Sequence, residues 1–248
     1  MKTPTKSILA LALCLGIAST AEAQRPRGGM GGPQVNAAMA KLFGDNNAFS
    51  ANLEIQASLG PGGESATIPG KIAFDAGKSR FEMSLSNAKG AFPPEAAQQM
   101  KAMGMDSIVV IGRPEKNLSY LVYPGLNAYA ELPDEESNKL SEVDLKMDTT
   151  DLGKETVDGH PCDKKKVVMT EKGGKKHEFT VWNATDLKDF PVKIETSEEG
   201  QKATLVFRQV RFGKPAASSF EPPTNMKRYS NVMQMMQEEM MKRMGGGQ

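Results

Sequence analysis

The sequence predicts a mainly β protein in which one antiparallel sheet curls into an incomplete barrel, with short helices lying across it. Three observations lead to this fold class. Apolar and polar residues alternate in about ten segments, as in half-buried strands. The turns between neighbouring segments are too short for a crossover, so the strands are expected to be antiparallel. A sheet of that many strands tends to curl rather than stay flat.

The chain begins with the features of a cleaved export signal. Lys2 and Lys6 precede the apolar run ILALALCLGIA, and Ala21-Glu22-Ala23 has the small-x-small pattern of a cleavage site. We therefore expect cleavage after Ala23 and a periplasmic location. The apolar run is shorter than a spanning helix requires, so no transmembrane anchor is expected.

The first half of the mature chain predicts one helix and three strands. Residues 24–33 are rich in Gly and Pro and indicate a flexible leader, and residues 34–43 predict a short helix closed by Gly44. Alternation from Phe49 to Leu59 predicts the first strand. KIAFD and RFEMSLS predict a hairpin around residues 75–78, where a glycine suits a positive φ.

Further along, a second helix and three more strands are expected. EAAQQMKAM follows a Pro-Pro pair and predicts a short helix. SIVVIG, NLSYLVY and NAYAELP then predict strands, separated by turns at residues 113–116 and 124–125. Each connection indicates an antiparallel neighbour.

The second half combines a charged region with another run of strands. Residues 131–158 are strongly acidic and residues 159–178 are basic, which indicates solvated faces rather than a cation site. KKKVVMT, HEFTVWNA, PVKIETS and KATLVFRQV predict four strands. Gly173-Gly174 and Glu199-Gly200 are expected to be hairpin turns. The mature chain retains one cysteine, Cys162, which is expected to be a half-buried structural residue because one thiol cannot form an internal disulfide.

The C-terminal tail is rich in methionine and predicts an amphipathic helix. Its predicted apolar stripe is Tyr229, Val232, Met233, Met236, Met240 and Met244. Three interpretations are open: a helix packed on its own domain, a deformable surface for an apolar ligand or another protein, and thioether capture of Cu(I). The chain is thus divided into a signal peptide (1–23), a leader with a helix (24–44), one β domain (45–225) and a tail helix (226–248).

Four stretches in a fixed order resemble an exported bacterial domain family of unknown function. They are GKSRFE, RPEKNLSYLVYP, GKETVDGHPC and VWNATDLKDFPVKIE. The resemblance covers about residues 45–225, and that family is similar in fold to the LolA/LolB-like lipoprotein-localisation proteins. It implies a single domain whose curled sheet has helices across its opening, where the carrier relatives hold the acyl chains of a lipoprotein.

The residues favour binding over catalysis. The chain has two histidines and no phosphate loop, nucleophile elbow or zinc spacing, so neither an enzyme, a cofactor nor a metal site is expected. With a formal net charge of +1, nucleic-acid binding is not expected either.

Two functions remain. The first is a periplasmic carrier for a lipid, an acyl chain or a lipidated protein, and the second is an envelope interaction module with a filled core whose partner meets the tail helix or the charged segments. The predicted lining of an apolar cavity is Leu53, Ile55, Phe74, Phe81, Met83, Val110, Leu121, Phe179, Val181, Ile194, Leu205 and Phe207. A filled core and a pocket for an apolar ligand have the same composition, so only the volume between these side chains separates the two functions.

Overall fold

One large, mostly antiparallel sheet forms the body of the protein. The structure is a computed structural model and describes residues 37–58, 65–133, 146–170, 174, 176–198 and 201–245. Within these ranges the sheet has thirteen strands: β1 (Ala48–Ser58), β2 (Ser65–Asp75), β3 (Lys78–Ser84), β4 (Lys89–Gly90), β5 (Ser107–Arg113), β6 (Leu118–Tyr123), β7 (Ala128–Pro133), β8 (Lys146–Val157), β9 (His160–Thr170), β10 (Lys176–Ala184), β11 (Phe190–Glu198), β12 (Gln201–Phe212) and β13 (Lys227–Tyr229). The predicted mainly β class is confirmed.

The sheet consists of two meanders joined side by side. Its order is β13-β7-β6-β5-β3-β2-β1-β12-β11-β10-β9-β8, and β4 pairs with β2. The two meanders meet where β1 pairs with β12, with Leu53 opposite Phe207 and Ile55 opposite Leu205. The two ends of this order, β13 and β8, are not paired with each other, so the sheet curls without closing.

The predicted hairpins form where the turn residues indicated. Ala76 and Gly77 connect β2 to β3 with φ values of 48° and 89°, the pair of positive φ angles that a two-residue hairpin turn requires. Short 3₁₀ turns at Pro114–Lys116 and Pro124–Leu126 connect β5 to β6 and β6 to β7. The turns predicted at Gly173 and at residues 199–200 lie outside the described residues.

Three strands were not expected from the sequence. β8 lies within the acidic stretch that was interpreted as solvated, and all but its last residue are exposed because it is the outermost strand. β13 has three residues and β4 has two, too few for an alternation to be visible. β13 also pairs parallel to β7, unlike the predicted antiparallel neighbours, because the chain crosses from β12 back to the opposite edge of the sheet.

Three helices accompany the sheet: α1 (Ala37–Leu42), α2 (Pro94–Ala102) and α3 (Val232–Gly245). All three were predicted. α1 is shorter than the predicted helix over residues 34–43, and α2 begins and ends one residue earlier than EAAQQMKAM. None of the described helices is long and apolar enough to cross a membrane. The predicted signal peptide and flexible leader lie outside the described residues.

The sheet carries an apolar cluster on each face. The larger cluster lies on the inner face and includes side chains of all three helices as well as both meanders. The smaller cluster lies on the outer face of β5 and β6, where Phe220 covers Val109, Ile111, Tyr120 and Val122. Burial on both faces explains why SIVVIG and LSYLVY are nearly continuous apolar runs.

Candidate functional site

The inner face of the sheet is the candidate site. All twelve predicted lining residues belong to the inner cluster; eleven are buried, and Met83 is half-buried against it. The structure therefore brings together the side chains that the alternation selected. Their role as the lining of a ligand site stays a prediction.

One end of the inner face is filled by aromatic rings. Phe43, at the end of α1, contacts the ring of Phe49 at a centroid distance of 4.8 Å and that of Phe74 at 5.4 Å. Its ring also lies 5.9 Å from Phe190 and 5.8 Å from Phe207. Rings at these spacings stabilise one another beyond the area that they bury. Sequence reasoning selected only Phe74 and Phe207, because the other three rings come from a helix and from strand starts.

The inner cluster also includes several methionine side chains. Met83, Met100 and Met105 are half-buried there, and Met235 and Met236 of α3 are buried. We call these five side chains the methionine-lined part. Unlike the rings of the aromatic end, thioether side chains are flexible and adapt to irregular spaces. Met236 belongs to the predicted stripe of the tail helix, whereas Met100, Met105 and Met235 were not predicted, since no strand alternation places them.

Helix α2 covers this part with little buried surface. None of its residues is buried, and only Ala96, Ala97 and Met100 pack partly against the inner cluster. Hydrogen bonds from Arg243 connect the end of α2 to α3 in what we call the junction. The Arg243 guanidinium donates from Nη1 to the Ala102 carbonyl at 2.8 Å and from Nη2 to the Gly125 carbonyl at 2.5 Å.

Two glycines make that junction possible. A Cβ on Gly125 would lie 2.6 Å from the Gly104 carbonyl oxygen, and one on Gly104 would lie 2.6 Å from the Gly125 carbonyl oxygen. Real Cβ atoms do not approach backbone this closely, so both positions require glycine. The junction therefore ties the end of α2, the turn between β6 and β7 and the end of α3 together at one point.

The buried face of α3 differs from the predicted stripe. Met235 is fully buried and Met236 nearly so, whereas Met233 is 76% exposed and Met240 is 39% exposed. The predicted stripe is wrong at Met233 and Met240, because Met235 and Glu239 take the buried side, where Glu239 accepts a hydrogen bond from Tyr229. Tyr229 and Met236 are buried as predicted, and Val232 is half-buried. The Met244 side chain lies outside the described residues. Nothing in the described residues supports the Cu(I) interpretation.

A buried polar pair anchors α3 to β13. The Tyr229 hydroxyl donates to Glu239 Oε1, and Lys242 Nζ donates to the same oxygen at 2.5 Å. Burial raises the pKa of Glu239, but the hydrogen bonds from Lys242 and Tyr229 outweigh it, so the pKa is lowered overall. Burial and the Glu239 carboxylate together raise the pKa of Tyr229. The Glu239 carboxylate is therefore held in its ionised form against β13.

The motif Arg113-Pro114-Glu115-Lys116 holds the outer segment, residues 213–226, against the outer face. Arg113 is 8% exposed and donates from Nη1 to the Phe220 carbonyl at 2.9 Å and to Glu221. Its Nε donates to Glu115 at 2.5 Å. Burial lowers the pKa of Arg113, but these two carboxylates more than reverse that effect. The motif is therefore structural.

The second motif, GKETVDGHPC at residues 153–162, supplies Glu155 to the surface around Trp182. The Trp182 indole Nε1 donates to Glu155 Oε2 at 2.9 Å, and Lys164 donates to the same carboxylate at 3.1 Å. The ammonium groups of Lys164 and Lys193 lie 4.8 Å and 4.1 Å from the indole ring. Hydrogen bonds from Trp182 and Lys164 lower the pKa of Glu155. This arrangement buries the indole without a ligand.

The residues with catalytic chemistry are distributed rather than clustered. Cys162 is buried and donates to the His160 carbonyl at 3.3 Å, and burial raises the pKa of its thiol. His160 Nδ1 lies 2.8 Å from Asp186 Oδ2 at the surface, while His177 is buried on β10. Among the described residues, no group of three His, Cys, Asp or Glu side chains could hold a metal ion.

The comparisons with known proteins identify the family. A family profile for a domain of unknown function, DUF4412, matches residues 67–190, half of the chain. The chain belongs to this family. The DUF4412 match runs from β2 to the start of β11 and includes both motifs described above, so the expected membership in a family of unknown function is confirmed. No curated protein matches the chain.

Several solved structures are similar to this DUF4412 protein. The lipoprotein LppX of Mycobacterium tuberculosis is 12% identical with a TM-score of 0.41, and the match covers 73% of this chain and 96% of that one. A LolA superfamily protein of Nitrosomonas europaea is 8% identical with a TM-score of 0.39, covering 73% and 93%. A putative outer membrane lipoprotein-sorting protein domain of Vibrio parahaemolyticus is 12% identical with a TM-score of 0.32, covering 74% and 95%.

Proposed function

We propose that the protein is an exported, non-catalytic carrier that holds the acyl chain of a lipid or lipidated protein against the inner face of its sheet. The observation that supports this most is that α2 makes few apolar contacts over the methionine-lined part, while the Arg243 hydrogen bond holds only its C-terminal end. The helix covers an apolar surface yet has no buried residue of its own. An element held by so few apolar contacts opens at low free-energy cost.

The energetics favour an acyl chain as the occupant. Each methylene removed from water contributes about 0.8 kcal/mol, so a chain of ordinary length gains more than the partial burial of Ala96, Ala97 and Met100 supplies. Met83 and Met105 can change rotamer to accept a chain, since thioether side chains adapt to irregular shapes. The aromatic end around Phe43 is closely packed and sets the limit to which a chain could extend.

The non-catalytic assignment is supported by the state of the reactive groups. The Cys162 thiol is buried with a raised pKa, and His160 pairs with Asp186 away from the inner cluster. Export is supported by the first 23 residues, whose charged start, apolar run and Ala21-Glu22-Ala23 pattern suit a signal peptidase. An exported carrier meets its lipids in the periplasm.

A charge placed under α2 tests the carrier function. We expect the purified protein to bind cis-parinaric acid saturably, with displacement by palmitate. Met100→Glu puts a carboxylate beside the half-buried methionines and is expected to weaken binding at least tenfold, because a buried unpaired charge is costly. Gln98→Glu adds the same charge to an exposed position of the same helix and is expected to leave binding unchanged.

Native mass spectrometry of protein purified from its own envelope without detergent gives an independent readout. A co-purifying adduct of lipid mass is expected. A bare mass together with no cis-parinaric acid binding would contradict the carrier function and favour a filled core. Equal binding of cis-parinaric acid by Met100→Glu and the parent protein would mean that the acyl chain does not bind under α2.

A further inference from the structure

A polar groove of about 360 Å³ lies on the outer face of the sheet, opposite the inner cluster. Its floor is one row of residues across four neighbouring strands. Arg211 pairs with Ser50, Ser50 with Ala73, and Ala73 with Arg80. Neighbouring strands are about 4.8 Å apart, so the two arginine backbones are about 14 Å apart with two small residues between them. Because Ser50 and Ala73 are small, a space remains above them, with Arg211 on one side and Arg80 on the other.

The groove offers several free cationic donors. Lys71 and Arg211 are exposed, and neither makes an ion pair or a side-chain hydrogen bond with other described residues. Arg80 donates from Nε to Glu82 Oε1 at 2.7 Å and from Nη1 to the Ser219 carbonyl at 3.3 Å. A guanidinium has five N–H groups, so three remain for a ligand.

A strand irregularity shapes the same groove. The pairing of β1 with β12 shifts register between Ser50 and Asn52, and Gln209 takes a φ of 51° there. Asn52 Nδ2 donates to the Gln209 side-chain oxygen at 2.8 Å across the shift. Such bulges redirect side chains and occur beside binding sites more often than elsewhere in sheets. Here the bulge adds an amide to the wall of the groove.

We propose that this polar groove binds a phosphate group carried by a small ligand of headgroup size. Two arginines facing one space suit phosphate, because each guanidinium fork can donate two parallel hydrogen bonds to its oxygens. The only carboxylate in the lining, Glu82, is already paired with Arg80. The volume equals that of about a dozen liquid water molecules at about 30 Å³ each, which is more than a bare phosphate fills.

The proposal does not depend on the carrier function, because the groove and the inner cluster lie on opposite faces of β1 and β2. A soluble phosphate ester and a phospholipid headgroup offer the same chemistry. Glycerol 3-phosphate represents the first, and vesicles of phosphatidylglycerol, compared with vesicles of phosphatidylcholine, represent the second.

Calorimetric titration with glycerol 3-phosphate, and co-sedimentation with the two kinds of vesicle, test the groove. We expect saturable binding that Arg211→Gln weakens about tenfold. Lys202→Gln removes one positive charge from an exposed position at the far end of the same strand and is expected to have no effect. Binding to phosphatidylglycerol vesicles that Arg211→Gln weakens assigns a lipid headgroup, and binding to glycerol 3-phosphate alone assigns a soluble ester. The proposal is overturned when neither glycerol 3-phosphate nor the phosphatidylglycerol vesicles bind, or when Arg211→Gln and Lys202→Gln weaken binding equally.

Discussion

At the scale of single residues, polar side chains with buried partners hold the ends of the chain in place. Glu239 is 8% exposed, yet it accepts hydrogen bonds from Tyr229 and Lys242. Arg113 is equally buried and holds the outer segment. In each case one ionised group satisfies several partners, and removal of that group leaves those partners without a hydrogen bond.

Glu239→Gln is expected to lower the free energy of unfolding by about 2 kcal/mol at pH 7, because a hydrogen bond to a buried charge is lost. The pKa of Glu239 is lowered from 4.5 on folding. Its stabilisation is therefore fully present above pH 4.5 and is lost as the pH falls through the folded-state pKa. Thermal unfolding of both proteins between pH 7 and pH 3 checks this. The two melting temperatures should converge in acid, and a constant difference would contradict the assignment.

Arg113→Gln is expected to free the outer segment. The variant loses the hydrogen bond to Phe220 and both carboxylate partners, which we expect to cost about 2 kcal/mol. Limited proteolysis should then cut within residues 213–226, while the parent protein resists. Lys116→Gln is the matched control, since Lys116 is 45% exposed and 3.5 Å from Glu221. Cleavage in the control at the same rate would argue against the role of Arg113.

At the scale of elements, the packing of α3 is set by hydrogen bonds as well as by apolar residues. Met235→Gln is expected to lower the free energy of unfolding by about 2 to 3 kcal/mol, because Met235 is fully buried. Met233→Gln is expected to change it by less than about 0.5 kcal/mol, since that side chain is 76% exposed. Urea unfolding of the two variants measures both. The reverse order would restore the stripe that the sequence predicted.

Elements with one buried face were predictable, and elements without one were not. β1 alternates from Phe49 to Ala57 and was found directly, whereas β8 is exposed almost throughout and carries no such pattern. The register of α3 was missed for a related reason. Glu239 is charged, so a hydrophobic projection turns it outward, although a hydrogen bond from Tyr229 of β13 holds it against the sheet.

The candidate site was predictable in part for the same reason. The twelve strand residues follow from alternation and all belong to the inner cluster. The covering side chains Phe43, Met105 and Met235 come from helices and loops whose position depends on tertiary contacts. The polar groove was not predicted, because Ser50 and Arg211 face each other only once the register of β1 and β12 is known.

At the scale of the whole molecule, the pairing of β1 with β12 joins the two meanders. Leu205 lies opposite both Ile55 and Ile194 and is 2% exposed. Leu205→Ala is expected to lower the free energy of unfolding by about 3 kcal/mol in both meanders together. Trp182 fluorescence reports the second meander, and tyrosine fluorescence at residues 120, 123 and 129 reports the first.

Both signals should shift to the same lower urea concentration in Leu205→Ala. Leu152→Ala, at the exposed edge in β8, is the control and is expected to change stability by less than about 1 kcal/mol, since that side chain is 49% exposed. A shift in the tryptophan signal alone would mean that the meanders unfold independently.

The same pairing also governs when the protein can fold. Asn52 and Gln209 touch across the seam, although they are 157 positions apart in the chain. Contacts between such distant positions make folding slow, because a long loop must close before any of them forms. One edge of β1 therefore stays unpaired until β12, near the end of the chain, has been synthesised. In the export that we propose, this delay would keep the polypeptide unfolded until β12 is available.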